Sequence, residues 1–189
     1  MTSISFHGGV NEVGGNKILL EDKGTKIFID FGKGFSAWEK YFEDYLKPRS
    51  ANGILDFIEM DQIPDIPGIY REDLIEKAGR KSDDPDIDAV IVSHAHADHV
   101  DYISFLHKDI PLYMGQTTHN MLKAIQERSV DSFDRQILEF KEVNGRRGEK
   151  VQRKVKEFRS GKKFKIGSVA SYHSLINLKI PLIFIIPLT

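Results

Sequence analysis

The sequence predicts a layered α/β (α+β) domain, and three observations carry that expectation. Short apolar strand patterns alternate with helical patterns along much of the chain. One strand pattern, Ala89 to Val92, is apolar without interruption, as in a strand buried on both faces. With 189 residues, 40% of them hydrophobic and 29% charged, the chain is long enough and ordinary enough for one domain with a sizeable core.

Each element has a local reason. "SISFHG" alternates polar and apolar residues, "KILLED" is a short apolar run, and "KIFIDFG" follows across a Lys23-Gly24 turn. These are three strands, near 3–7, 17–21 and 26–31. Between the first two lies "GGVNEVGGN", whose four glycines allow a close backbone approach to a ligand or another loop, or simply make a wide hairpin turn. "SAWEKYFEDYLKPR" spaces Trp38, Tyr41, Phe42 and Tyr45 by three and four, with Ser36 as N-cap and Pro48 as stop. That aromatic stripe reads as core. "REDLIEKAGR" is a second helix, "IDAVIVS" the buried strand and "VDYISFLHK" a further helix. "IPLYMG" is a strand near 111–114, and "TTHNMLKAIQERS" a helix capped by Thr117. The strands together form a mixed sheet.

Bulk properties exclude several classes. A net charge of -1 gives no global field for nucleic acid or membrane. The absence of cysteine removes disulfides and thiolate metal sites, so a metal must be held by His, Asp or Glu. Residues 1–15 lack the pattern of a signal peptide, which makes the cytoplasm the expected location.

The buried strand runs directly into "SHAHADH", Ser93 to His99. A chance H-x-H-x-D-H in this composition is expected about once in a thousand such chains, which makes the pattern specific. In an extended segment, residues two apart face the same side, so His94 and His96 point together and Asp98 continues that side. His99, starting the next helix, approaches from another direction. Imidazole with carboxylate suits zinc, manganese or iron. The spacing implies two divalent ions, one on His94 and His96, its neighbour on Asp98 and His99, with zinc the first choice. His107 and His119 lie in predicted helices and read as structural or solvent-facing. His7, at the end of the first strand, fits either role.

"SHAHADH" resembles the metal-binding motif of the metallo-β-lactamase fold hydrolases. "FIDFG", with Asp30, resembles that family's earlier aspartate motif, and "GGVNEVGGNKILLED" resembles the ribonuclease J-like and β-CASP nuclease branch. The resemblance covers residues 3–168. It implies an αββα fold of two similar halves, of which 1–168 would hold the N-terminal one. It also implies hydrolysis of phosphodiester bonds in single-stranded RNA, with His94, His96, Asp98 and His99 as ligands. Asp98 would in addition serve catalysis beside the attacking water, and Asp30 would support the ligand loop. The same fold hosts thioester, lactam and small phosphoester hydrolysis.

The family takes further ligands from later in its chains. His173-Ser174 is similar to its next His-Ser, which makes His173 a weaker ligand candidate, and no Asp follows Glu157. The segment 169–189 is an apolar tail interrupted by Pro181 and Pro187, too short to span a bilayer. It reads as a core strand, a membrane-skimming tail or a shortened or frame-altered end, with self-association as a further role for its apolar surface, and the resulting expectation is a metal-binding half-domain with poor activity of its own. Ten Lys or Arg between 146 and 165, with Arg153, Lys154, Lys162 and Lys163 among them, form a candidate phosphate-contacting patch. They could equally line a solvated hairpin turning at Ser160-Gly161.

Overall fold

In the computed structural model of the chain, the described residues are 1–42, 46–128, 136–143 and 150–158. Their architecture is a mixed α/β sheet with helices, as expected. The strands are β1 (Ser3–Phe6), β2 (Ile18–Asp22), β3 (Thr25–Ile29), β4 (Ala89–Val92), β5 (Leu112–Gly115), β6 (Glu139–Phe140), β7 (Val151–Gln152) and β8 (Val155–Phe158). The six-stranded sheet runs β1-β2-β3-β4-β5-β8, and β6 pairs with β7 separately. The first two pairings are antiparallel and the last three parallel. The β2–β3 hairpin closes through Lys23 and Gly24, both at positive φ, as a tight turn requires.

Strand β4 sits centrally because all four of its residues can be covered. Val90 and Val92 join the main core with Phe28, Leu112 and Met114. Ala89 and Ile91 face the other side with Ile27, Leu20 and Tyr113. The main core is sealed by aromatic rings: Phe57 lies 5.6 Å from Tyr102 and 4.7 Å from Phe105. Helices α2 (Leu55–Glu59) and α3 (Glu72–Lys77) bring Phe57 and Leu74 into it.

Several local expectations change in the folded chain. The first helix, α1, spans Phe35–Tyr41, shorter than its aromatic spacing predicts, and Tyr45 lies outside the described residues. Phe42 leaves the helix and is buried, with its ring 4.6 Å from Trp38 and 6.4 Å from Phe57. Its N-cap is Gly34 instead of Ser36, since a Gly14–Gly34 bridge sets the entry of the chain. The stretch after the histidines divides into α4 (Ala97–Val100) and a 3₁₀ segment, Asp101–Phe105. Helix α5 (Gln116–Arg128) begins before Thr117, which therefore is not its cap. Of the expected hairpin at 154–168 only the first arm is described, as β8, which runs parallel to β5. Its turn at Ser160-Gly161, His173, Lys162, Lys163 and the tail 169–189 lie outside the described residues. Among the described residues no helix is long and apolar enough to cross a membrane.

One pair gives a pH test of this scaffold. Arg49 donates to the buried Asp56 through Nε and Nη2, the latter at 2.7 Å, and through its backbone N–H. The Arg49 guanidinium holds the Asp56 carboxyl down at about 2. Since the folded value lies below the unfolded one, the stabilisation is present above roughly pH 4 and is lost as pH falls towards 2. Asp56→Asn should flatten the stability loss across that window, followed by denaturant titration at stepped pH.

Candidate metal centre

The site lies where the parallel strands β3 and β4 end, the carboxyl edge at which open α/β sheets bind ligands. Asp30 follows β3 and Ser93 follows β4. Asp30 takes φ 58, a left-handed conformation that aspartate tolerates better than most residues. Its buried carboxylate accepts from the Ser93 N–H at 2.8 Å and the Ser93 hydroxyl at 2.7 Å. Asp30 Oδ2 also lies 2.7 Å from His99 Nδ1. The carboxylate can only accept there, so Nδ1 carries a proton, and in the neutral ring Nε2 keeps the lone pair.

The ligand loop is clamped to the strand before it. The N–H groups of Phe31 and Lys33 donate to the carbonyls of His99 and Ala97, at 2.9 and 3.1 Å. Gly32 lies between them because nothing larger fits: a Cβ there would stand 1.8 Å from the Asp98 carbonyl oxygen. The glycine-rich loop closes the other side. A Cβ on Gly14 would meet Asp98 Cβ at 2.6 Å, and the Asn16 N–H donates to the Asp98 carbonyl at 3.1 Å. Both readings of that loop hold, since it is the wide turn between the antiparallel β1 and β2 and also approaches the loop that carries Asp98.

The four candidate ligands gather here as two pairs. His94 Nε2 lies 3.1 Å from His96 Nδ1, and His99 Nε2 lies 3.3 Å from Asp98 Oδ2. The rings of His94 and His99 are 3.9 Å apart, so the pairs adjoin. Burial, then the neighbouring His99 and His96, pushes the His94 imidazole down, towards the neutral form a metal requires. Two donors each about 2.0–2.1 Å from one ion stand on the order of 3 Å apart, so either pair fits a divalent ion in kind and spacing. Among the described residues, however, no group of three or more His, Cys, Asp or Glu could hold a single ion.

The remaining candidates are placed elsewhere. Arg153 is not a surface cation. It is buried, with Nη1 donating to the Leu106 carbonyl at 2.8 Å and Nη2 to that of Ser104 at 2.9 Å. It helps to satisfy these carbonyls in the core, that of Ser104 together with Arg71 Nη1 at 3.4 Å, and they hold it away from phosphate. Lys154 is exposed and bonds Asp109 at 2.8 Å. His107 is buried against Glu72, a structural role. His7 packs its ring 5.7 Å from Phe28. Two contributors were not singled out from sequence: Ser93, which bonds Asp30 and lies 2.9 Å from His94 Nδ1, and Asn16, whose Nδ2 is 3.2 Å from His99 Nε2. Their places as the first residue of "SHAHADH" and the last of the glycine-rich loop were the available signal.

Comparisons with known proteins agree with this geometry. Residues 61–174, more than half of the chain, match the family described as a beta-lactamase superfamily domain. The transcription termination factor FttA of Methanocaldococcus jannaschii is 28% identical over 127 residues, which cover 66% of this chain and 15% of the factor. Ribonuclease J of Helicobacter pylori is 30% identical over 108 residues, covering 56% of this chain and 12% of the ribonuclease. The chain thus spans a small part of the curated relatives' lengths. A crystal structure of a protein of unknown function from Enterococcus faecalis V583 superposes with a TM-score of 0.52 at 29% identity. It covers 67% of this chain and 28% of that one. The strand-end histidine cluster and the match over residues 61–174 lead to one conclusion: this chain belongs to the beta-lactamase superfamily.

Proposed function

We propose that the chain carries the metal site of a hydrolase of nuclease lineage, acting on phosphodiester bonds in single-stranded RNA. The observation that supports it most is the pairing of donors at one strand end, His94 with His96 and Asp98 with His99, with the His99 tautomer set by Asp30. Ribonuclease J, by its name, acts on RNA, and its likeness to this chain supports the substrate class. When bound, a pair of divalent ions makes water nucleophilic at neutral pH and neutralises charge on a phosphoryl oxygen. His94 and His96 would hold one ion, for which zinc is the first choice, with manganese or iron also suited to the donors. Asp98 and His99 would hold the other, and the Asp98 carboxylate stands ready to accept a proton from the attacking water. Asp30 keeps the Nδ1 proton of His99, so Nε2 stays available. The working location proposed is the cytoplasm.

A second reading is a metal-binding module without turnover. It is favoured by the limit of two donors of the usual types per ion among the described residues, where zinc sites ordinarily take three or four. One experiment separates the two. The full chain, loaded with zinc or manganese, is incubated with 5′-monophosphorylated single-stranded RNA. Cleavage that falls by roughly a hundredfold or more in Asp98→Ala is the expected result for the hydrolase, since a misplaced nucleophile alone costs about that much. Metal retained without turnover of RNA supports the module. Zinc affinity unchanged in His96→Ala would remove both readings.

A further inference from the structure

The outer edge of the site holds a third polar group. His99 Nε2 has Asp98 Oδ2 at 3.3 Å and the Asn16 carboxamide nitrogen at 3.2 Å, so the two side chains flank it at nearly equal distance. With Nδ1–H given to Asp30, the lone pair of Nε2 accepts the Asn16 N–H. The other arm of the carboxamide is an oxygen, and a half-turn about the last side-chain bond exchanges the two ends. The backbone of Asn16 does not share that freedom. Its N–H donates to the Asp98 carbonyl at 3.1 Å, and its carbonyl accepts from the Gly32 N–H at 3.0 Å. Asn16 is therefore tied to the segment that presents Asp98, whichever way its amide faces.

We propose that Asn16, through its carboxamide oxygen, is a third ligand for the ion taken by Asp98 and His99. This rests on the reading of those two residues as metal ligands. A carboxamide oxygen is a neutral, hard donor of the kind that oxygen-preferring ions accept. With it, one position has two oxygens and a nitrogen, while its neighbour has the two imidazoles of His94 and His96. The two positions then differ in preference. The oxygen-bearing one suits manganese, and the imidazole pair suits zinc. Without an ion, the same carboxamide holds the His99 ring in place by hydrogen bonding, so the position is set before the ion arrives.

The test is calorimetric titration of the full chain with manganese alone, with the metal-free thermal transition checking the fold of each variant. The parent should bind manganese. Asn16→Ala should weaken one manganese site by about tenfold or more, the scale on which such supporting groups act. Asn16→Asp, which places a charged oxygen at the same reach, should restore or tighten that site. Parent-like affinity in Asn16→Ala, or weaker binding in Asn16→Asp than in Asn16→Ala, overturns the assignment of Asn16 and leaves Asp98 and His99 in place. No manganese bound by the parent overturns this proposal, and no zinc bound either, in a parallel titration, overturns the reading of the site with it.

Discussion

Asp73→Ala should destabilise the chain by about 3–5 kcal/mol, the cost of leaving a buried charge uncompensated. Asp73 is the carboxylate that Arg71 holds with two bonds, Nε at 2.9 Å and Nη2 at 2.6 Å. Both partners are buried, Arg71 at 1% exposure. The same carboxylate accepts the Val143 N–H at 2.8 Å. Arg153 is buried nearby, and the two guanidiniums lie 3.8 and 4.9 Å from the Phe140 ring centre. Burial, then the charge of Arg71, pushes Arg153 down to about 9, with Asp73 acting in the opposite direction. Asp73 thus offsets the charge of two buried guanidiniums. Without it, Arg71 keeps its bonds to the Lys141 and Ser104 carbonyls but lacks a counter-charge. Urea unfolding of the parent and of Asp73→Ala measures the difference. Arg71→Met in the Asp73→Ala background should recover part of the loss, because it removes one unmatched charge. A loss under about 1 kcal/mol in the single variant, the scale of an exposed pair, would mean that water reaches these groups.

Gly32→Ala should cost about 3 kcal/mol or more in stability, at the upper end of overpacking effects, and on the proposed reading of the site it should abolish divalent-ion binding. The added methyl would stand 1.8 Å from the Asp98 oxygen, 2.0 Å from its carbonyl carbon and 2.3 Å from the His99 nitrogen. These are backbone atoms, so no side-chain rotation relieves the collision. Either β3 or the ligand loop must move, and movement separates Asp98 and His99 from Asp30. Gly24→Ala is the comparison. A Cβ there meets nothing within 4 Å, so it reports the conformational cost of φ +84 alone, about 1 kcal/mol. Parent-like zinc titration in Gly32→Ala would contradict the clamp described above.

Much of this scaffold could be read from local pattern. The alternation of Ser3–Phe6 and the apolar runs of Ile18–Asp22 and Thr25–Ile29 became β1, β2 and β3. The uninterrupted apolar run at Ala89–Val92 became a central strand. His94, His96, Asp98 and His99 come together just after it, and Asp30 lies against His99, where the family resemblance placed it. Their function as ligands is what the titrations decide. Such features are legible because a strand shows its faces every second residue, and because a dense set of histidines and a carboxylate arises rarely by chance.

What sequence alone determined, then, was the class of fold, the main strands and the ligand candidates, each carried by residues adjacent in the chain. The tertiary structure decided the rest. Arg153 looked like one cation of a basic run, yet carbonyls contributed by Ser104 and Leu106 draw it into the core. Val155–Phe158 alternated like a strand, but that its partner would be β5, some forty residues earlier and parallel, was set by packing. Asn16 looked like the end of a turn, and its place beside His99 arises because Gly32 and Asp98 fix its backbone from 16 and 82 residues away. A side chain's periodicity reports which way it faces. The group that satisfies its charge or its hydrogen bonds is chosen by packing, and packing joins residues that are distant in the chain.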